Sequence, residues 1–118
     1  TPVGSSYLYI TAREFARFGQ MYLDDGVVNG KRVLPEGWGE YTVTPTEASG
    51  GRYGAFFYLN RKKSGSDLPE DMFACSGHDG QEIYIIPSKS LVVAVLGYSP
   101  TSNRINFGAL LKDIIKEL

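Results

Sequence analysis

The chain has 118 residues, 42% apolar and 21% charged, enough for one compact domain and too apolar for a disordered segment. The net charge is −1 with both signs mixed along the chain, and the one basic run, Arg61-Lys62-Lys63, adjoins Ser64-Gly65-Ser66 as a solvated loop would, so no basic stripe for nucleic acid is expected. No apolar run approaches the roughly 18 residues of a membrane-spanning helix, and a single cysteine rules out an internal disulfide.

In chain order, Ile10 to Gly26 predicts the clearest helix. Thr11 and Glu14 have capping-box spacing, and Ile10 and Phe15 occupy the staple positions around it. Phe15, Phe18, Gly19, Tyr22 and Leu23 fall on one face, with Phe18 at its centre. Gly26 closes the helix from a left-handed conformation. Val27 to Val33 then predicts a very short hairpin, because Asn29-Gly30 tolerates positive φ at both turn positions. Pro35 suits the first turn of a second helix running to Tyr41 or Val43, weakened by Gly37 and Gly39.

Thr44 to Arg52 is a polar loop, aromatic-rich Tyr53 to Asn60 a predicted strand, and Arg61 to Asp71 a long polar connection. Phe73 to Ile86 and Leu91 to Tyr98 predict two more strands, joined by a turn at Ile86-Pro87-Ser88-Lys89. Asn103 to Leu118 predicts a last helix, with Phe107, Leu110, Leu111, Ile114, Ile115 and Leu118 on one stripe. The expected architecture is α+β: a three-stranded antiparallel meander packed by N-terminal and C-terminal helices. Ile83 and Ile85 alternate with Tyr84 and Ile86, so both sheet faces need cover.

The only cysteine and the only histidine lie three residues apart in Cys75-Ser76-Gly77-His78. Residues three apart on a regular strand point to opposite faces, so a Cys–His dyad would need a bulge. Cys75 reads as a small buried hydrophobe. The pair offers two metal ligands where three or four are needed, so neither a metal nor another cofactor is expected. His78 by itself reads as a turn histidine satisfied by water and backbone. Against that, Gly77 and Gly80 open the backbone just before a buried strand, where free N–H groups could face a ligand as in an oxyanion hole. That is half a site. No serine stands in a Gly-x-Ser-x-Gly elbow or a Ser-x-x-Lys spacing, including Ser5, Ser6, Ser64 and Ser66.

Two stretches, GSSYLYITAREFARFGQMYLDDGVVNGKRVLPEGW and SGHDGQEIYIIPSKSLVVAVLGY, carry a resemblance that covers nearly the whole chain in order. They resemble the C-terminal part of the serine beta-lactamase-like hydrolases: class C beta-lactamases, penicillin-binding-protein-like esterases and peptidases, and 6-aminohexanoate-dimer hydrolases. The resemblance implies a partial beta-lactamase/transpeptidase-like fold, with residues 1–118 a single domain and the C-terminal fragment of a longer hydrolase.

His78-Asp79-Gly80 is similar to the family's third motif, Lys-Thr-Gly or His-x-Gly, on a strand facing the nucleophile. The resemblance makes Gln81 a backbone oxyanion donor and lets His78 position the substrate or tune charge at its rim. Asp79, Asn103 and Arg104 are the further candidates for substrate contact. The Ser-x-x-Lys and Tyr motifs would lie upstream of Thr1, so this chain alone is expected to be inactive. His78 in place of Lys, and Asp79 in place of Thr or Ser, favour a small amide or ester substrate over a beta-lactam. The alternative is a non-catalytic domain that keeps the fold and binds a ligand or partner. A sheet excised from a longer protein would expose an edge or apolar face, so pairing of two copies is a further expectation.

Overall fold

A computed structural model describes residues 3, 7–60 and 67–118. The Arg61-Lys62-Lys63 run, the first half of the predicted 61–71 connection, and Ser5, Ser6, Ser64 and Ser66 lie outside the described residues.

Helix α1 spans Ala12–Leu23 and opens on the expected capping box. The Thr11 hydroxyl accepts from the Glu14 N–H at 3.3 Å, and the Glu14 carboxylate accepts from the Thr11 N–H at 2.8 Å. The Thr11 N–H, and after it the Thr11 hydroxyl donating to Glu14 Oε2 at 2.9 Å, hold the Glu14 carboxyl below its usual range. The helix closes with Gly26 at φ 76°, its N–H bonded to the Met21 carbonyl. Strands β1 (Val27–Val28) and β2 (Lys31–Arg32) pair antiparallel around Asn29-Gly30, both at positive φ.

Helix α2 is shorter than expected, Trp38–Val43, because Gly37 enters it at φ 76° and breaks any continuation from Pro35. The predicted strand Tyr53–Asn60 contributes only β3, Tyr58–Leu59. Before it the chain doubles back, with Tyr53 bridged to Tyr58, Phe56 left-handed, and the Gly54 N–H donating to the Phe57 carbonyl at 2.9 Å.

The expected three-stranded sheet has four strands. What reads as one strand from Phe73 to Ile86 is two, β4 (Phe73–Ser76) and β5 (Glu82–Ile86), reversed at His78-Asp79-Gly80. Asp79 at φ 54° and Gly80 at φ 86° make the reversal, the same pair of signs as Asn29 (50°) and Gly30 (75°). With β6, Leu91–Val95, the antiparallel order is β3-β4-β5-β6. The link between β5 and β6 is the expected proline turn, closed by the Ser90 N–H to the Pro87 carbonyl. Helix α3 starts at Phe107, not Asn103, because the Asn106 side chain caps it, and it ends at Lys116.

Cross-strand register puts Leu59, Phe73, Cys75, Ile83, Ile85 and Val92 on one face of the sheet. Helix α1 covers that face. A Cβ on Gly19 would lie 2.5 Å from a Val92 methyl, so glycine is what lets the helix approach. Phe15, Tyr22 and Leu23 pack on this core, but Phe18 does not fill its centre: it is 36% exposed and touches Tyr22 edge-on. The opposite face carries Glu82, Tyr84 and Ile86. There Phe107 lies against Tyr84, with ring centroids 6.2 Å apart, and Phe107 and Leu111 are buried. No helix among the described residues is long and apolar enough to cross a membrane.

Candidate functional site

The end of the sheet where β4 turns into β5 borders an open cavity of about 650 Å³. Tyr7 to Ile10 and Phe15 form one wall, with Leu96 beyond the end of β6 adding to the apolar lining. Ser76, Gly77, His78, Gln81 and Glu82 bring polar groups to the same space.

The turn is fixed from three directions. The Gly77 N–H donates to the Gln81 carbonyl at 2.7 Å, closing the loop on itself. The Ser99 N–H donates to the Asp79 carbonyl at 2.8 Å, tying it to the chain beyond β6. The Gln81 carboxamide bonds the backbone of Gly97 through both its oxygen and its nitrogen. Gly80 packs so closely that a Cβ would lie 3.0 Å from Ser99 Cβ and 3.3 Å from the Phe107 ring. The two glycines therefore differ: Gly80 needs positive φ, whereas Gly77, at φ −110°, does not.

His78 projects from this turn with a side chain 95% exposed, its Nε2 3.2 Å from the Asp79 carboxylate. Among the described residues, the backbone N–H of Gln81 has no carbonyl of the turn as its partner. Cys75 borders the cavity with His78, but no hydrogen bond joins them among the described residues, and no three His, Cys, Asp or Glu side chains there group as a metal site would.

Glu82 is the charged group that sequence reasoning passed over. It is 4% exposed, and its Oε1 accepts from the Ser76 hydroxyl and from Arg104 Nη2, each at 2.9 Å. Arg104 also lies over the Phe107 ring at 5.9 Å. A buried carboxylate requires such partners. The available signal was a lone acid at the head of an apolar strand. Of the two predicted contact residues near α3, Arg104 thus reaches the cavity only through Glu82, and Asn103 does not line it. The Tyr7 to Ile10 wall carries no motif and is visible only in three dimensions.

Burial, and then the Glu82 charge, push the Cys75 thiol up to about 11. The same two causes raise the Tyr84 hydroxyl. Because the thiolate is the reactive form, iodoacetamide should alkylate Cys75 roughly a hundredfold more slowly than free cysteine at pH 8. The rate should climb with pH up to about 11. Fast labelling at pH 8, followed by mass spectrometry, would contradict this assignment.

The mixed helix-and-sheet fold is hydrolase-like. The solved structure described as "Putative 6-aminohexanoate-dimer hydrolase from Bacillus anthracis" matches 91% of this chain with TM-score 0.67 and 26% identity. An uncharacterised protein of Alkalihalophilus pseudofirmus is 26% identical over 95 residues, 72% of this chain. The chain spans 29% of the first and 28% of the second. No family model matches it.

Proposed function

We propose that this chain is the His-Asp-Gly part of a serine hydrolase that cleaves a small amide or ester through an acyl-enzyme. The observation that carries this reading is the cavity itself: apolar walls converge on the His78–Gln81 turn at the end of a buried strand. The likeness to the Bacillus anthracis structure supports it.

In this reading an upstream Ser-x-x-Lys supplies nucleophile and base. The serine oxygen bonds to the substrate carbonyl carbon, the lysine takes its proton and returns it to the departing amine or alcohol, and water then releases the acid. The Gln81 N–H and the N–H of the nucleophilic serine stabilise the oxyanion. Gly80 lets the backbone approach, and His78 with Asp79 sets polarity at the rim. Arg104 acts on the cavity by neutralising Glu82, and Asn103 is assigned no contact.

The chain alone should therefore bind without turning over. With 15N-labelled chain, N-(4-nitrophenyl)butanamide should shift the amides of Ser76, Gly77, His78 and Gln81. Hydrolysis of p-nitrophenyl butyrate or nitrocefin should stay at the buffer rate. Shifts confined to other regions, or saturable turnover abolished by a serine-directed phosphonate, would overturn the assignment.

The second reading is a ligand-binding domain without chemistry, and it needs no nucleophile at the cavity. Ser76, which borders the cavity, commits its hydroxyl to Glu82 and stands in no Ser-x-x-Lys spacing. A sequence upstream of Thr1 that lacks the Ser-x-x-Lys and Tyr motifs would decide for it.

A further inference from the structure

We propose that the Gln81 carboxamide is a positioning group that replaces a missing backbone rung between the β4–β5 turn and the end of β6. The β5–β6 ladder pairs Glu82 with Val95 at its last rung. Continued by one further hydrogen-bonded step, it would pair Gly80 with Gly97. Instead, Gln81 Oε1 accepts from the Gly97 N–H at 3.2 Å, and Gln81 Nε2 donates to the Gly97 carbonyl. Backbone pairing resumes beyond it, where the Ser99 N–H reaches the Asp79 carbonyl.

A carboxamide suits this place because it presents one acceptor and one donor side by side, the pattern of a peptide group. Gly97 suits it for a different reason. Nothing lies within 4 Å of where its Cβ would be, so space does not demand glycine, but its φ of 146° does. Leu96, next to the clamped residue, lines the cavity together with Gln81. The clamp therefore sets where the Leu96 wall stands relative to His78. That this wall borders a substrate site rests on the hydrolase reading above; the clamp itself does not.

The test is amide hydrogen exchange on the full 15N-labelled chain, read at Gly97 with core residue Ile85 as control. Gln81→Met keeps the side chain's length and removes both bonds. It should lower protection at Gly97 about tenfold and leave Ile85 unchanged. Gln81→Glu adds a signature that packing alone cannot produce. Its ionised carboxylate can still accept from the Gly97 N–H, but it has no donor for the Gly97 carbonyl and sets an anionic oxygen against it, which drives the pair apart; its protonated form restores one donor and one acceptor. Protection at Gly97 should thus be low at pH 7 and recover as pH falls through the introduced carboxyl's pKa. Wild type over the same range controls for His78, Asp79 and Glu82. Should Gln81→Met fail to fold, the pH response of Gln81→Glu still decides. Unchanged Gly97 protection in Gln81→Met, or a Gln81→Glu protection factor indifferent to pH, would overturn the proposal. Neither result depends on turnover, so the clamp and the hydrolase reading fail separately.

Discussion

Phe57→Ala should destabilise the fold by about 3–5 kcal/mol. Phe57 is 2% exposed and makes edge-to-face contacts with Tyr22 of α1 (centroids 4.9 Å apart) and Phe73 of β4 (5.1 Å). Truncation leaves a cavity between a helix and a strand that are both held elsewhere, so the gap cannot collapse fully, and two aromatic pairs are lost as well. Phe18→Ala is the contrast. Phe18 keeps solvent on one side and has Tyr22 as its ring partner, so its removal should cost well under half as much. Urea denaturation of the two variants, with unchanged m-values, measures the difference. Equal losses would mean that α1 packs with Phe18 inward.

Gly80→Val should be the most damaging single change at the site. A β-branched residue at φ 86° is strained, and its Cβ would start 3.0 Å from Ser99 Cβ and 3.3 Å from the Phe107 ring. Strain and overpacking together predict a loss of roughly 2–4 kcal/mol. Gly77→Ala, at an ordinary φ with the Gln81 side chain 3.2 Å away, should be clearly milder. If thermal unfolding ranked Gly77→Ala as the worse of the two, the turn would not have the conformation described above.

Much of the fold was legible because it is fixed by short-range chemistry. The Thr11–Glu14 box and the Asn29-Gly30 hairpin each need only a few neighbouring residues, and both stand where the sequence places them. Asp79-Gly80 is the same kind of dipeptide. The apolar run on either side of it reads as one long strand, although the dipeptide's own chemistry marks a reversal there. Tyr53 to Asn60 misled differently. Its aromatic content suits a strand, but Gly54 and the left-handed Phe56 turn the chain back, and what the aromatics serve is burial of Phe57 against Tyr22 and Phe73. Periodicity located the inner face of α1, and a glycine among its large side chains, Gly19, marks where another element comes close; only the centre of the stripe differs, since Phe18 is partly exposed and Val92 presses at Gly19.

At the site, the His78 turn was legible from its glycines. The Tyr7 to Ile10 wall, the Glu82–Arg104 pair and the Gln81–Gly97 bonds join residues distant in sequence, and no local pattern encodes them. The family resemblance assigns Gln81 only its main-chain N–H; its carboxamide also holds Gly97, so Gln81→Ala should act through geometry as well.

The central claim, that the His78–Gln81 turn presents backbone to a substrate, is tested most directly by steady-state kcat/KM for p-nitrophenyl butyrate. The variants are His78→Ala, Gly80→Val and Gln81→Ala, in the longer polypeptide proposed to carry Ser-x-x-Lys, with circular dichroism to confirm folding. Gly80→Val should fall furthest, about 10²–10³-fold as for a lost oxyanion donor, with the other two reduced less. A nearly silent Gly80→Val beside a severe Gln81→Ala would contradict the claim.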